Sequence, residues 1–328
     1  MDSTAYWTTA PGAGEFRRAR LRPPGVGEAL VRSLYSGVSR GTEMLVYRGE
    51  VPPEVAGRMR APFQEGEFPF PVKYGYLSVG VVEQGPDDLL GRRTFCLYPH
   101  QDRYVVPVDA LTVIPDDVPS RRAVLAGHVE TALNALWDAP PCIGDRIAVI
   151  GGGMIGASLA VLLSRFPLGR LQLVDTDPVK RDMARAMGIE AVEPEALQAE
   201  CDIIYHASTT EAGLAQGLER LGDEGELVEL SWFGSHVPAV PLGTSFHARR
   251  LRITASQVST IGRARRYRRT HAARMDLVMH MLQDPVFDAL ISGESGFADL
   301  PGAIAGLAQG ELPTLCRAIR YPDPGPRG

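Results

Sequence analysis

Hydrophobic positions along the chain follow two different periods. Up to about Val118 the apolar residues come in short runs of β-branched and aromatic types. EALVRSLYSG, SVGVVEQG, RTFCLY and DRYVVPVDALTVIP are examples, each bounded by Gly or Pro. Runs of that length between turn formers predict strands. Strand after strand with no helix between them predicts an antiparallel, barrel-like domain. One stretch breaks the series: residues 49–75 are rich in Pro and charge and read as a long loop. Loops of that length in compact domains are functional or disordered.

After Pro119 the period lengthens. SRRAVLAGHVETALNALWDA opens on Ser120, an N-cap residue type, and then carries apolar residues at helical spacing. The strand-like segments RIAVIG, LQLVD, IEAV, CDIIYHAS, GELVELSWF and RITASQ alternate with predicted helices at about Met154–Phe166, 178–187 and 211–221. That alternation predicts a parallel sheet wound with helices on both faces. Beyond Gln257 come an Arg-rich turn, an amphipathic helix over 271–284, and a tail of short strands and one helix. The fold class is therefore α/β. Residues 1–118 and 258–328 form one expected domain and residues 119–257 the other.

Composition narrows the function classes. The 328 residues fit about two domains, and 45% hydrophobic with 22% charged residues is ordinary for a soluble protein. A net charge of −5 argues against nucleic acid or an anionic membrane surface as partner. The four cysteines, Cys96, Cys142, Cys201 and Cys316, are scattered with no CxxC pair, which fits reduced thiols in a cytoplasm. The N-terminal stretch lacks the apolar core of a signal peptide, and no apolar run is long enough to span a bilayer. A cytoplasmic protein acting on a small molecule is expected.

AVIGGGMIGASLAVLL contains Gly151-x-Gly153-x-x-Gly156 directly after a strand and directly opening a helix. The first Gly permits a tight turn, the second lets backbone approach a pyrophosphate, and the third lets helix pack on strand. The helix N-terminus, at Met154 and Ile155, offers free N–H groups to phosphate. Asp175 ends the next strand, where a carboxylate accepts hydrogen bonds from the ribose hydroxyls of NAD and repels the 2′-phosphate of NADP. Lys180 and Arg181 just beyond it weaken that preference, so NADP stays as the second choice. Ser208, in HAS, and Ser231, in SWFG, end later strands at the carboxyl edge where cofactors bind.

SGVSRGTE, VKYGYLSVGVV and GGGMIGASLA, in that order, resemble the medium-chain dehydrogenase/reductase superfamily, alcohol-dehydrogenase-like, over nearly the whole chain. The SRGTE loop is most similar to the branch containing bacteriochlorophyllide a dehydrogenase and threonine-dehydrogenase-like proteins. The resemblance implies a GroES-like β-barrel catalytic domain, a Rossmann domain, an NAD(H)-dependent hydride transfer in a biosynthetic setting, and a homodimer. In zinc-dependent members the loop reads Cys-Arg-x-Asp, followed by Gly-His-Glu-x-x-Gly and a Cys or Glu opening the linking helix. Here the Cys position falls on Ser39, the His-Glu pair on Tyr76 and Leu77, and the third ligand on Gly127 or Glu130. Hydroxyls with high pKa are poor zinc ligands, and a catalytic site needs three good ones. No zinc is expected.

Without a Lewis acid, side chains must protonate or hydrogen-bond the oxygen that receives charge. Tyr76 is the first candidate, against the alternative of ordinary packing. Ser39 either bonds substrate or caps its turn. Glu130 is either a proton relay or a buried anchor, and His128 either a base or a satisfied structural histidine. Arg40 matches the Arg that contacts pyrophosphate in relatives, against a surface pair with Glu43. Thr42 and Glu43 shape the loop. Five arginines lie within residues 263–269, either for an anionic substrate or as a solvated face. Hydride transfer to an alcohol/carbonyl carbon is the first functional expectation. Reduction of an activated C=C or C=N bond, or dinucleotide binding without turnover, are the alternatives.

Overall fold

The strand Arg146–Ile150 leads into the fingerprint glycines and is buried from Ile147 onward. An unbroken apolar run is what a strand covered on both faces requires. It pairs in parallel with Arg170–Val174 on one side and Cys201–His206 on the other. Six parallel strands stand in the order Ala191–Val192, Arg170–Val174, Arg146–Ile150, Cys201–His206, Leu221–Glu229, Arg252–Ala255. Numbered along the chain this is the 3-2-1-4-5-6 order of the Rossmann fold, and its winding reverses beside Arg146–Ile150. The helices Met154–Leu163, Pro178–Ala186 and Glu211–Arg220 lie where the periodicity puts them. Asp177 and Thr210 cap the second and third by accepting from the N–H groups of Val179 and Gly213. We describe residues 1–312 and 315–323 of this computed structural model.

Two units emerge. One is His128–Arg274 with Val286–Leu290, and the other is Met1–Gly127 with Met275–Pro285 and Ile291–Gly328. Both junctions fall later than the composition shifts at 118 and 257. The Arg93 guanidinium donates to the carbonyls of Pro115, Asp116 and Val118, and Arg122 donates to those of Leu282 and Gln283. Those bonds hold residues 115–122 in the first unit. Buried Arg274 bonds Glu130, Asn134 and the Val258 carbonyl, which keeps residues 258–274 in the second.

In the first unit the long strand Glu28–Ser39 is central. It pairs antiparallel with Ser78–Gln84, Arg103–Pro107 and Cys316–Arg320, in a seven-stranded sheet that also holds Arg93–Cys96, Thr112–Val113 and Ile291–Gly296. The register sets Cys316 opposite Ser39 and Ser78 opposite Ser36. A four-stranded second sheet joins the N-terminal hairpin, Asp2–Ala10 with Ala13–Arg20, to Val72–Lys73 and Glu65–Gly66. Part of the 49–75 segment is thus regular, holding these two short strands and the helical turn Pro53–Ala56. Val72 pairs with Thr8 and Glu65–Gly66 pairs with Val72–Lys73, which local composition does not reveal. The chain also forms a helix over Thr42–Arg48, directly after the SRG turn. Among the described residues no helix is long and apolar enough to cross a membrane.

Candidate active site

Each fingerprint glycine has its own physical reason. Gly151 has φ +107°, and a Cβ there would lie 2.7 Å from the backbone of Ala207 and Ser208, at the end of the neighbouring strand. A Cβ on Gly156 would meet the Gly151 carbonyl oxygen at 1.8 Å. Gly153 differs: a Cβ there would meet nothing within 4 Å. The helix Met154–Leu163 starts on Gly153 with no side-chain cap, so the N–H groups of its first turn, at Met154 and Ile155, have no side-chain acceptor. Open space against an uncapped helix start fits a pyrophosphate.

The carboxyl edge of the sheet is tied by side chains. Asp175 Oδ2 accepts the Gly152 N–H at 2.7 Å, Oδ1 accepts the Asp177 N–H at 2.8 Å, and Lys180 Nζ sits 3.3 Å away. The carboxylate is therefore fixed beside the glycine turn, where it retains lone pairs for ribose hydroxyls. Arg181 points elsewhere, to Glu193 and the carbonyls of Asp175 and Thr176. Ser208 and Ser231 come together at the same edge. Buried His206 bonds Glu229 and Ser208, each at 2.7 Å, while Ser231 Oγ accepts the Thr209 N–H at 3.0 Å. Glu229 in turn accepts the Ser231 N–H.

In the other unit Ser39, Thr42 and Tyr76 share one hydroxyl cluster. Burial and then the Glu43 charge push the Tyr76 phenol's pKa up to about 12, against the opposing influence of the neighbouring Ser39 and Thr42 side chains. The Tyr74 ring meets the Tyr76 ring edge-on, with centroids 6.0 Å apart. Helix Thr42–Arg48 turns Glu43 inward, where it is only 6% exposed. Its carboxylate accepts the Ser39 N–H at 2.7 Å and lies 2.9 Å from His100 Nε2. His100 Nδ1 lies 2.7 Å from Ser36 Oγ, which lies 3.1 Å from the Tyr321 hydroxyl. The expected alternative of a surface pair between Arg40 and Glu43 is thereby corrected: Arg40 is exposed, and Glu43 is committed to the interior.

No protein-family profile matches the chain. It is 28% identical over 324 residues to the 2-desacetyl-2-hydroxyethyl bacteriochlorophyllide A dehydrogenase of Rhodobacter capsulatus, covering 91% of this chain and 96% of that one. It is 31% identical over 121 residues to the L-threonine 3-dehydrogenase of Sinorhizobium fredii, covering 36% of this chain and 33% of that one. A dehydrogenase of Sinorhizobium meliloti, solved with NADP, superposes with a TM-score of 0.79 at 17% identity over 98% of this chain and 99% of its own. Over nearly its whole length the chain is similar in sequence to a dehydrogenase and shares the fold of medium-chain dehydrogenases.

The positions that the resemblance aligns with zinc ligands, Ser39, Tyr76, Leu77 and Gly127, hold a hydroxyl, a phenol, a hydrocarbon and no side chain. Leu77 is fully buried, and its methyl groups take up neighbouring space. A Cβ on Gly127 would meet Leu77 Cδ2 at 2.6 Å, and one on Gly37 would meet Leu77 Cδ1 at 3.1 Å. A hydrocarbon therefore fills the room a ligand at position 127 would need. Among the described residues no group of three or more His, Cys, Asp or Glu side chains could hold a metal ion.

Glu130 has the geometry of an anchor. Its Oε1 accepts from Arg274 Nε at 3.0 Å and Nη2 at 2.9 Å, and Arg274 is 1% exposed. Arg274 also bonds Asn134 Oδ1, which accepts the Gly262 N–H, so the pair fixes the turn after Gln257. In the Arg-rich segment beyond that turn, Arg263, Arg266, Arg268 and Arg269 are exposed and Tyr267 is 93% exposed.

His128 is buried, and neither ring nitrogen has a hydrogen-bond partner among the described residues. Burial pulls its pKa down to about 4. An imidazole neutral to that depth gives no acid at neutral pH. Because the folded-state value lies below the ordinary 6.5, the unfolded chain binds a proton between about pH 6.5 and 4 that the folded chain does not. Stability therefore falls as pH drops through that window, by about 3 kcal/mol in total. Urea midpoints measured from pH 7 to 4 are expected to fall less steeply in His128→Gln. An identical slope in both proteins would assign the acid sensitivity to other groups.

Proposed function

We propose that this enzyme is a zinc-independent, NAD(H)-linked oxidoreductase acting on a secondary alcohol and its methyl ketone. A bound nicotinamide supplies or accepts the hydride. Gly151, Gly153, Gly156 and the first N–H groups of the helix at Met154 and Ile155 suit its pyrophosphate, and Asp175 suits an unphosphorylated ribose. Arg40, exposed on the SRG turn, is the guanidinium offered to phosphate. The Sinorhizobium meliloti neighbour holds NADP, so the preference for NAD rests on the Asp175 carboxylate alone.

The observation that carries the reading is the Tyr76 phenol, set beside Ser39 and Thr42 where the described residues supply no metal-ligand set. In ketone reduction a phenol donates its O–H to the oxygen that becomes negative. The alkoxide of a secondary alcohol, whose pKa is about 16 like that of water, takes the proton downhill from a phenol near 12. Glu130 is outside this proton chemistry, because both Nε and Nη2 of Arg274 occupy its oxygen.

The substrate class comes from chemistry shared by two relatives. The Rhodobacter capsulatus enzyme is named for a hydroxyethyl group and the Sinorhizobium fredii enzyme for threonine, whose side chain is 1-hydroxyethyl. Dehydrogenation of such a group gives a methyl ketone in both cases. The enzyme is expected to oxidise NADH with aryl or alkyl methyl ketones, at least ~10-fold faster in kcat/KM than NADPH, the effect of one repelled phosphate. Dialysis against a chelator is expected to leave that rate intact. Turnover of enones or imines but not methyl ketones, equal use of NADPH, or loss of activity with the metal would each refute its part of the reading.

A further inference from the structure

Glu43 is the centre of the polar interior of the barrel-like unit, and the hydride chemistry above does not use it. Its charge raises the proton affinity of Tyr6, Tyr74, Tyr76, Cys316 and Tyr321, all of which are partly or fully buried around it. It is anchored at both oxygens: Oε1 by the Ser39 N–H and Oε2 by His100 Nε2. A carboxylate only accepts, so His100 carries its proton on Nε2 and its Nδ1 accepts from Ser36. Ser36 in turn accepts from the Tyr321 hydroxyl at 3.1 Å. Hydrogen bonds thus join Tyr321, Ser36, His100 and Glu43 in one buried line. Ser36, His100, Glu43 and Ser39 are each no more than 6% exposed.

We propose that the Glu43–His100 pair is the positioning element of the Tyr76 proton donor, acting through Ser39. This rests on the reading of Tyr76 above. Ser39 is held by its N–H to Glu43, and the strand end that carries it is tied beside Tyr76 by the Gly37 N–H, which donates to the Leu77 carbonyl at 2.8 Å; the Ser39 side chain lowers the phenol's pKa. Fixing the first bond fixes the loop that stands beside the phenol. The Glu43 charge also opposes formation of a second anion at Tyr76, so the phenol stays protonated until substrate oxygen becomes the stronger base. In this arrangement a buried carboxylate and imidazole hold the SRG turn in place, with no ion required.

The test replaces Tyr76 by 3,5-difluorotyrosine, whose acidity brings the titration into an accessible range, and follows its 19F resonance with pH. Tyr74, Cys316 and Glu43 are the other titratable groups around the ring, and only position 76 carries the label. In Glu43→Gln the titration is expected to move down by about one pH unit, the size of a lost like-charge neighbour. Ser39→Ala removes the side-chain influence that lowers the phenol's pKa and is expected to move it up. With the best methyl ketone, Glu43→Gln is expected to lower kcat about 10-fold with KM within twofold, and Glu43→Asp to recover part of it.

A titration that does not move in Glu43→Gln, or moves up, overturns the proposal. Should Glu43→Gln fail to fold, Ser39→Ala decides, and an unmoved titration there overturns it. The two readings fail separately. If Tyr76→Phe leaves turnover unchanged, the donor role falls while the titration still reports the coupling. If Tyr76→Phe lowers turnover and Glu43→Gln alters neither titration nor kcat, only the positioning role falls.

Discussion

Tyr76→Phe is expected to lower kcat for ketone reduction about 100-fold while leaving NADH affinity within twofold. Removing one donor aimed at a developing oxyanion costs about 10²–10³ in rate, and the phenol is the O–H donor proposed here. Ser39 and Thr42 stand beside it and influence its pKa, and the Tyr74 ring meets its ring edge-on. The substitution removes only the oxygen, so packing is kept. Cofactor affinity is expected to be spared because Tyr76 is not among the residues proposed to hold the dinucleotide. With a pKa raised to about 12, the phenol of the parent enzyme remains protonated well above neutral pH. The rate should therefore show no loss of a proton donor from this group below about pH 11. Steady-state kinetics with NADH and a methyl ketone check it, and a rate within threefold of the parent would remove Tyr76 from the chemistry.

Gly151→Ala is expected to weaken NADH binding about 100-fold. Two costs coincide at this residue. The backbone stands at φ +107°, which an L side chain rarely adopts, and the new methyl would meet the Ala207 carbonyl carbon and the Ser208 nitrogen at 2.7 Å. Both obstacles are backbone of the adjacent strand end, which has no rotamer to change. Strain and overpacking of this kind cost about 1–3 kcal/mol each. Some of that is relieved by displacing the turn, which moves the N–H groups at Met154 and Ile155 away from the pyrophosphate. About 3 kcal/mol in all corresponds to roughly 100-fold in Kd. Fluorescence titration with NADH measures it. By contrast, Gly153 has open space around its Cβ position, so Gly153→Ala should fold normally and obstruct only the ligand. Equal affinity in Gly151→Ala and the parent would mean that the turn adapts or that the dinucleotide binds elsewhere.

The dinucleotide half was legible from the chain because its determinants are local. Gly151, Gly153 and Gly156 lie within one turn, Asp175 ends the next strand, and each strand is an unbroken apolar run between helices of regular period. The kinds of atoms at Ser39, Tyr76 and Leu77 were legible as well, because residue type alone decides them. The junctions were less legible. They depend on Arg93, Arg122 and Arg274, long side chains whose carbonyl partners lie far away in the chain.

The polar interior behind Tyr76 shows the limit most clearly. Glu43 and His100 stand 57 positions apart, Ser36 and Tyr321 stand 285 apart, and nothing in the spacing pairs them. His206 and Glu229 are joined in the same way at the sheet edge. The sequence by itself determined the fold class, the glycine turn and the kinds of atoms at the former ligand positions, since periodicity, φ freedom and donor chemistry are properties of residues and their near neighbours. Only the tertiary structure decided that Glu43 turns inward, that Glu130 is spent on Arg274, and that His128 is neutral. Burial and hydrogen-bond partners depend on which distant strands and helices come together, here Cys316–Arg320 laid against Glu28–Ser39.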